Sequence, residues 1–483
     1  MQNQYTKIFI DGEWTTGSSE KNIENSNPYN GETLGIIRSA NPDDLEKAYQ
    51  AAASYQPEWE KLAPAEKQNY LFRLIDTIKA NKDHIVEWLI KEAGSSKVKA
   101  EVELQSAIQI IQESASFPTR MQGTTGASNT EGKENYTYRT AKGVIGVIGP
   151  WNFPFHLAMR TIAPALATGN TVVVKPASDT PVTSGLLIAD LLQEAGFPDG
   201  VIHVVAGRGS EIGDEFVEHP VPKLISFTGS TEVGTHIAQL ASKHLKETSL
   251  ELGGNNVMVV LDDADIEKAA QAAVFGSFLH QGQICLSLNR IIVHDSIYDE
   301  FVESFTKIAS KLKAGDPFQD DVLIGPIINQ GQVEHVEDLI KKTIDQGAKL
   351  HTAFKTEGNV IHPVIFSEVT NDMAAAKDEV FGPVASLLRA KSEEEAIQIA
   401  NDSPYGLSGS VFTKDRYRGM QVARKIQSGM VHVNDMPVND EPHMPFGGVK
   451  QSGIGRFNGE WIMEEFTTTQ WVSVQAEDRE YPF

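Results

Sequence analysis

The chain holds a single cysteine, Cys285, in the stretch "HQGQICLSLNR" that runs from His280 to Arg290. A free thiol titrates near about 8.5, so only a few per cent is thiolate at neutral pH without help from its surroundings. An unpaired cysteine is also a common small buried hydrophobe. Position favours chemistry here. Cys285 follows "QGQ" at the end of an Ala-rich helical run, and Gly282 lets the backbone turn there without steric cost. Two other residues supply what a thiol nucleophile needs. Glu251, in "LELGGNN", is an acid between two leucines beside a Gly-Gly bend, where partial burial raises a carboxyl pKa towards that of a general base. Taken alone it reads equally well as a strand-edge acid with a cationic partner. Asn152, in "GPWNFPF", lies between Pro150 and Pro154, which fix its backbone. Its amide N–H groups suit an oxyanion forming beside them. Taken alone it reads as a turn asparagine bonded to its own backbone.

Glycines mark a candidate phosphate site. "VVAGRGSEIG" places Gly207, Gly209 and Gly213 after a strand, and "FTGSTEVG" places Gly229 and Gly234 at the next strand-to-helix turn. Backbone N–H groups at such turns can hold a pyrophosphate. Neither stretch has the usual G-x-G-x-x-G spacing, and strand–helix turns use glycine for other reasons. Lys175 ends the strand "VVVK", within reach of a ribose or its phosphate, or simply solvated.

The elements that must position these residues alternate. From Gly143 the chain reads as strands "GVIGVIG", "TVVVKPA", "VIHVVAG" and "KLISFTG", separated by helical segments. That is the pattern of βαβ units on a parallel sheet covered on both faces. A second alternating region follows Glu251, so the chain reads as two α/β domains joined near Leu250 to Gly254. The first third reads as helical. Asn41, Pro42 and Asp44 cap one helix, and a run ending at Gly94 forms another. The polar segment "GTTGASNTEGKENYTYRTAKG" suits a hairpin leaving the main body. The β-rich "EEFTTTQWVSVQ" can pair with it, within the chain or on another subunit.

Composition bounds the partners. Lys+Arg 42 against Asp+Glu 65 gives a net charge of −23, which argues against nucleic acid or an anionic membrane as the main partner. One cysteine forms no internal disulfide. The opening "MQNQYTKIFIDGEW" lacks a signal peptide's basic start and apolar run, and "GVIGVIGPWNFPF" is too short and broken to span a bilayer. The expectation is a cytoplasmic protein without a metal site.

Seven stretches in order, "PWNFP", "KPAS", "FTGSTEVG", "LELGGNN", "GQIC", "EVFGP" and "MPFGGVKQSGIGR", resemble the NAD(P)-dependent aldehyde dehydrogenase superfamily. The resemblance covers essentially the whole chain. It implies an α/β fold: a Rossmann-like cofactor domain at 1–118 and 141–250, and an α/β catalytic domain at 251–435. A small β oligomerisation element, at 119–140 and 465–483, would make a homodimer or homotetramer. It assigns Cys285 as nucleophile, Glu251 as general base and Asn152 as oxyanion amide. It places NAD or NADP against Pro150, Trp151, Lys175, Ser178, Gly209, Phe227, Gly229, Ser230, Leu252, Glu379 and Phe381. The implied reaction passes through a cysteine thiohemiacetal, which can expel hydride, and then a thioester that Glu251-activated water hydrolyses.

Two departures refine the expectation. Three residues after Lys175, where the family often has glutamate, stands Ser178, and a neutral side chain removes the repulsion that a carboxylate would exert on a 2′-phosphate. Arg160 stands where many aliphatic members carry tryptophan. "NDMPVNDEPHMPFGG" resembles the aromatic-aldehyde branch, which acts on benzaldehyde, salicylaldehyde or vanillin. Phe153, Leu157, Ile284 and Phe446 are then expected to line a flat apolar slot, with Arg160 stacking on a ring or binding its oxygen substituents. Arg160 also reads as paired with an acid on the helix exterior. A semialdehyde or aliphatic substrate, with Arg160 on a carboxylate, is the alternative. An ester hydrolase using the same cysteine and a non-catalytic relative fit less well, because "EVFGP" and all three reactive residues are present.

Overall fold

The computed structural model describes residues 4–483. Residues 1–3 of the opening stretch read above lie outside the described residues. An eight-stranded sheet has a central run of five parallel strands, in spatial order Ile202–Val204, Thr171–Lys175, Val144–Ile148, Leu224–Thr228 and Glu247–Glu251. Val172, Val173 and Val174 are fully buried, as expected where helices cover both faces of a parallel sheet. From Val144–Ile148 the chain first builds outward on one side, then returns to add Leu224–Thr228 on the other. That reversal opens a crevice at the carboxyl ends of the two strands, the place where α/β sheets take ligands. Asn152 follows one of these strands and Gly229 the other.

The link of residues 252–255 leads into a second sheet of seven strands, in spatial order Lys349–Leu350, Val364–Ser367, Val384–Ala390, Leu288–His294, Asn256–Val260, Ser408–Phe412 and Met430–Val433. All neighbours pair in parallel except the first two. The polar hairpin forms at Thr125–Ala127 and Lys133–Ala141. Thr467–Gln475 of the same chain adds to it in unbroken register, from Thr467 opposite Ala141 to Gln475 opposite Lys133.

The N-terminal third differs from its helical reading. Among the described residues, four strands precede the first α-helix: Ile8–Ile10, Glu13–Thr15, Asn22–Ser26 and Thr33–Arg38. Asp11 and Gly12 turn the first hairpin with φ of 51° and 77°, the left-handed pair that an Asp-Gly two-residue turn adopts. The long run ending at Gly94 is two helices, Pro64–Ala80 and Lys82–Ala93, separated at Asn81; Gly94 caps the second with φ 63°. Asn41 caps Pro42–Lys61 as read, exchanging bonds with Asp44 in a capping box. Residues after Met430–Val433 return to the first sheet, where Gly453–Ile454 pairs antiparallel with Leu250 and Glu251. Phe446, Phe457, Ile462 and Phe466 join that sheet's core.

Candidate active site

Cys285 sits beyond a loop of unusual backbone. His280, Gln281 and Gly282 have φ of 50°, 55° and 71° in succession, a conformation that only glycine adopts without cost. A side chain at Gly282 would meet the Gly382 carbonyl at 2.1 Å. The strained turn is held by side-chain amides. Gln281 Nε2 donates to the carbonyls of Gly94 and Pro326, Gln283 Oε1 accepts from the Ile328 N–H, and Asn256 Nδ2 donates to the carbonyls of Cys285 and Ser287. The two glutamines of "HQGQIC" thus fix the cysteine's backbone.

Two cavities meet at Cys285 and Asn152. The first, of about 350 Å³, is lined by Phe153, Leu157, Arg160, Ile284 and Phe446, together with Leu279, Leu286, Met436 and Val438. All five residues expected around a substrate ring therefore face one apolar space. Arg160 is not on the helix exterior: its side chain is 2% exposed and its Nη1 lies 3.2 Å from Asp440 Oδ2. Its guanidinium carbon is 3.8 Å from the centre of the Phe446 ring. His156 Nε2 approaches the same Asp440 oxygen at 3.1 Å, and Asn458 Nδ2 donates to Oδ1 at 2.7 Å. Burial pushes the Asp440 pKa up, but Arg160, His156 and Asn458 outweigh it and hold the carboxyl below its ordinary range. The cation in the cavity thus already has its anion.

The second cavity, of about 420 Å³, is lined by Pro150, Trp151, Phe227, Gly229, Ser230, Glu251, Leu252, Glu379 and Phe381. It lies along the crevice at the strand ends. Ser230 caps the Thr231–Lys243 helix by accepting from the Val233 N–H, so the positive end of that helix opens on the cleft, where a pyrophosphate fits. A Cβ at Gly229 would lie 2.3 Å from the Phe227 ring, and one at Gly253 2.3 Å from the Glu379 carboxylate. Both glycines keep the cleft open. Glu379 Oε1 accepts from the Gly254 N–H at 2.9 Å, and Phe381, at φ 50°, packs its ring edge-on to Trp151 at 5.3 Å. These residues fit a nicotinamide dinucleotide. Lys175, Ser178 and Gly209 do not line this cleft. Lys175 ends the strand beside Ile148, buried, with its ammonium pKa lowered to about 8 by desolvation. Ser178 is exposed one residue beyond Ala177, which does line the cleft, and Gly209 is exposed in the turn after Ile202–Val204.

Burial tunes the two reactive groups. Glu251 ends the strand Glu247–Glu251 with both carboxylate oxygens lacking a hydrogen-bond partner. Desolvation pushes its pKa up to about 8, against the pull of Arg160 and Arg456. The Cys285 thiol is pushed up to about 12 by burial, opposed by Arg160 and reinforced by Glu251 and Glu379. Both shifts favour the uncharged forms, the thiol and the carboxylic acid. Asn152 Nδ2 donates one N–H to the Gln283 carbonyl at 3.0 Å, which leaves the amide's second N–H for an oxyanion. Among the described residues, no three His, Cys, Asp or Glu side chains are grouped to hold a metal ion.

The chain belongs to the aldehyde dehydrogenase family, whose profile matches residues 14–472. It is 50% identical to a vanillin dehydrogenase of Corynebacterium glutamicum over 472 residues, covering 97% of this chain and 98% of that one. It is 48% identical to a benzaldehyde dehydrogenase of Bacillus subtilis, with 99% of each chain covered. A Pseudomonas putida salicylaldehyde dehydrogenase, solved with salicylaldehyde, superposes with a TM-score of 0.96 at 38% identity, with 99% of each chain covered.

Sequence reasoning offered an acid as a partner for Arg160 but did not identify it as Asp440. Asp440 lies within the quoted "NDMPVNDEP", but nothing in its type or spacing marks it as the partner of a residue 280 positions earlier. His156, at the turn before Arg160 on the same helix face, was the available signal.

Proposed function

We propose that this protein oxidises aromatic aldehydes of the benzaldehyde and vanillin type to carboxylic acids, with NAD or NADP as oxidant. The observation that carries the reading is that Cys285 and Asn152 form the wall shared by an apolar cavity and the cleft at the carboxyl ends of the parallel strands. A flat ring in the first places its aldehyde carbon at the thiol, with the second cavity on the other side.

The Cys285 thiol passes its proton to solvent water, and the thiolate attacks the aldehyde carbon. The resulting oxyanion takes the free N–H of the Asn152 amide and the Cys285 backbone N–H. Bound in the second cleft, the nicotinamide supplies the hydride acceptor. The Cys285 thioester that results is attacked by water, from which Glu251 removes a proton, and the acid leaves as the thiol is restored. With a pKa near 8, Glu251 is a stronger base than an ordinary carboxylate once ionised. Asp440 weakens the semialdehyde alternative, because Arg160 has little net charge left for a substrate carboxylate.

The same reading assigns the first sheet to cofactor binding and the second to the catalytic thiol. It takes the outer sheet of Thr125–Ala127, Lys133–Ala141 and Thr467–Gln475, where Tyr138 and Trp471 are exposed, as the contact of a cytoplasmic dimer or tetramer. No helix among the described residues is long and apolar enough to cross a membrane.

The test is reduced-cofactor formation by the purified protein with benzaldehyde, vanillin and succinic semialdehyde, each with NAD and NADP. Faster turnover of both aromatic aldehydes is expected. Turnover of the semialdehyde alone would replace the aromatic reading with the alternative.

A further inference from the structure

The helix Lys97–Ser114 sends two charged side chains, Lys99 and Glu103, into the base of the loop that carries Asn152, and both are fully buried. Lys99 Nζ donates to the Asn152 carbonyl at 2.7 Å and to Ser95 Oγ at 3.0 Å, and it pairs with Glu103 Oε2. It also lies 4.2 Å from the centre of the Phe153 ring. The other carboxylate oxygen of Glu103 accepts from the N–H groups of Phe155 and His156, at 2.9 and 3.2 Å. These are free amides in the first turn of the helix Pro154–Ala167. One ion pair therefore holds the backbone on both sides of Phe153: the carbonyl before it and the amides after it. On the far side of Asn152, the carboxamide is tied to Gln283, two residues from Cys285.

Packing alone does not account for the pair. Apolar side chains of similar volume would fill the same space without the desolvation cost of two charges. They would not hold the Asn152 carbonyl or the two amides.

We propose that Lys99 and Glu103 are positioning residues for the oxyanion hole, setting the backbone of Asn152 so that its carboxamide faces the carbon bonded to Cys285. This rests on the reading of Asn152 as the oxyanion amide. Neither residue lines the cofactor cleft or the ring cavity. Their effect is therefore on the rate of the chemical steps and not on the binding of either ligand.

The experiment is a double-mutant cycle with benzaldehyde and NAD. The neutral pair Lys99→Met/Glu103→Gln leaves no unpaired buried charge and keeps an acceptor for the two helix amides. It is made in the wild-type and in the Asn152→Ala backgrounds, with NAD binding and thermal melting followed for each protein. The neutral pair is expected to lower kcat by about a hundredfold, the scale of a misplaced catalytic group, with the KM for NAD within about twofold. In the Asn152→Ala background the same change is expected to cost little further rate. A wild-type rate for the neutral pair, or an equal loss in both backgrounds, would overturn the proposal. A wild-type rate for Asn152→Ala alone would instead remove the oxyanion reading, and this proposal with it. Should the neutral pair not fold, Glu103→Gln alone goes through the same cycle, with a smaller loss of kcat and the same dependence on Asn152 expected.

Discussion

Buried Arg160 and half-buried Asp440 form an ion pair lining the ring cavity, 280 residues apart in sequence and 3.2 Å apart in space. The guanidinium stacks on Phe446 with one face while its edge meets the carboxylate. This pairing decides between the two substrate classes. A cation free of partners would attract a substrate carboxylate, whereas one already paired acts as a wall against a ring. Asp440→Asn should therefore shift specificity. The ratio of kcat/KM for succinic semialdehyde to that for benzaldehyde is expected to rise by about tenfold, the equivalent of about 1.4 kcal/mol. An unchanged ratio would show that the Arg160 charge is not sensed by substrate.

Cys285→Ser should lower turnover by several orders of magnitude, because a serine hydroxyl is far less acidic than a thiol and a much weaker nucleophile at neutral pH. NAD binding, followed by protein fluorescence, should stay close to wild type, since Cys285 forms only one edge of that cleft. Dehydrogenase activity near wild type would refute the nucleophile.

Glu251 carries a pH signature of defined sign. Its folded pKa of about 8 lies above its ordinary 4.5 because of burial. Folding therefore favours the protonated acid. The stabilisation is complete below pH 4.5 and is lost as pH rises through about 8, at up to about 1.4 kcal/mol per pH unit. Glu251→Gln removes that loss. Its melting temperature should exceed that of the wild type increasingly between pH 5 and pH 8 and match it near pH 4. A constant offset across that range would mean that the carboxyl is not buried as described.

Ser178 stands exposed just past the cleft, with no carboxylate in its place. Ser178→Glu should weaken NADP use by about tenfold or more relative to NAD, through repulsion of the 2′-phosphate. Equal effects on both cofactors would place the ribose elsewhere.

How much of this was legible in the sequence depended on the range of each interaction. Cys285, Glu251 and Asn152 stood out because each needs a local backbone: a glycine turn, a Gly-Gly bend, a pair of prolines. The alternating strands were legible from Val144 onward because buried parallel strands are runs of valine and isoleucine. The hairpin at Asp11–Gly12 carries a local signal, an Asp-Gly turn between apolar residues, but its strands are only three residues long and the helical pattern behind them is far longer. Asp440 had only the indirect signal of His156 one turn before Arg160, and Lys99 had none. Their roles arise from packing distant segments together, and a lone aspartate or lysine in a helix or loop looks like a solvated charge.

The most direct test of the central claim uses Glu251→Gln, which can form the thioester but hydrolyses it slowly. Mixed with benzaldehyde and NAD, it should release about one equivalent of reduced cofactor in a burst. Mass spectrometry of the quenched protein should find a benzoyl group on the Cys285 peptide. Reduced cofactor formed in steady turnover with no adduct on Cys285, or an adduct at another residue, would contradict the account.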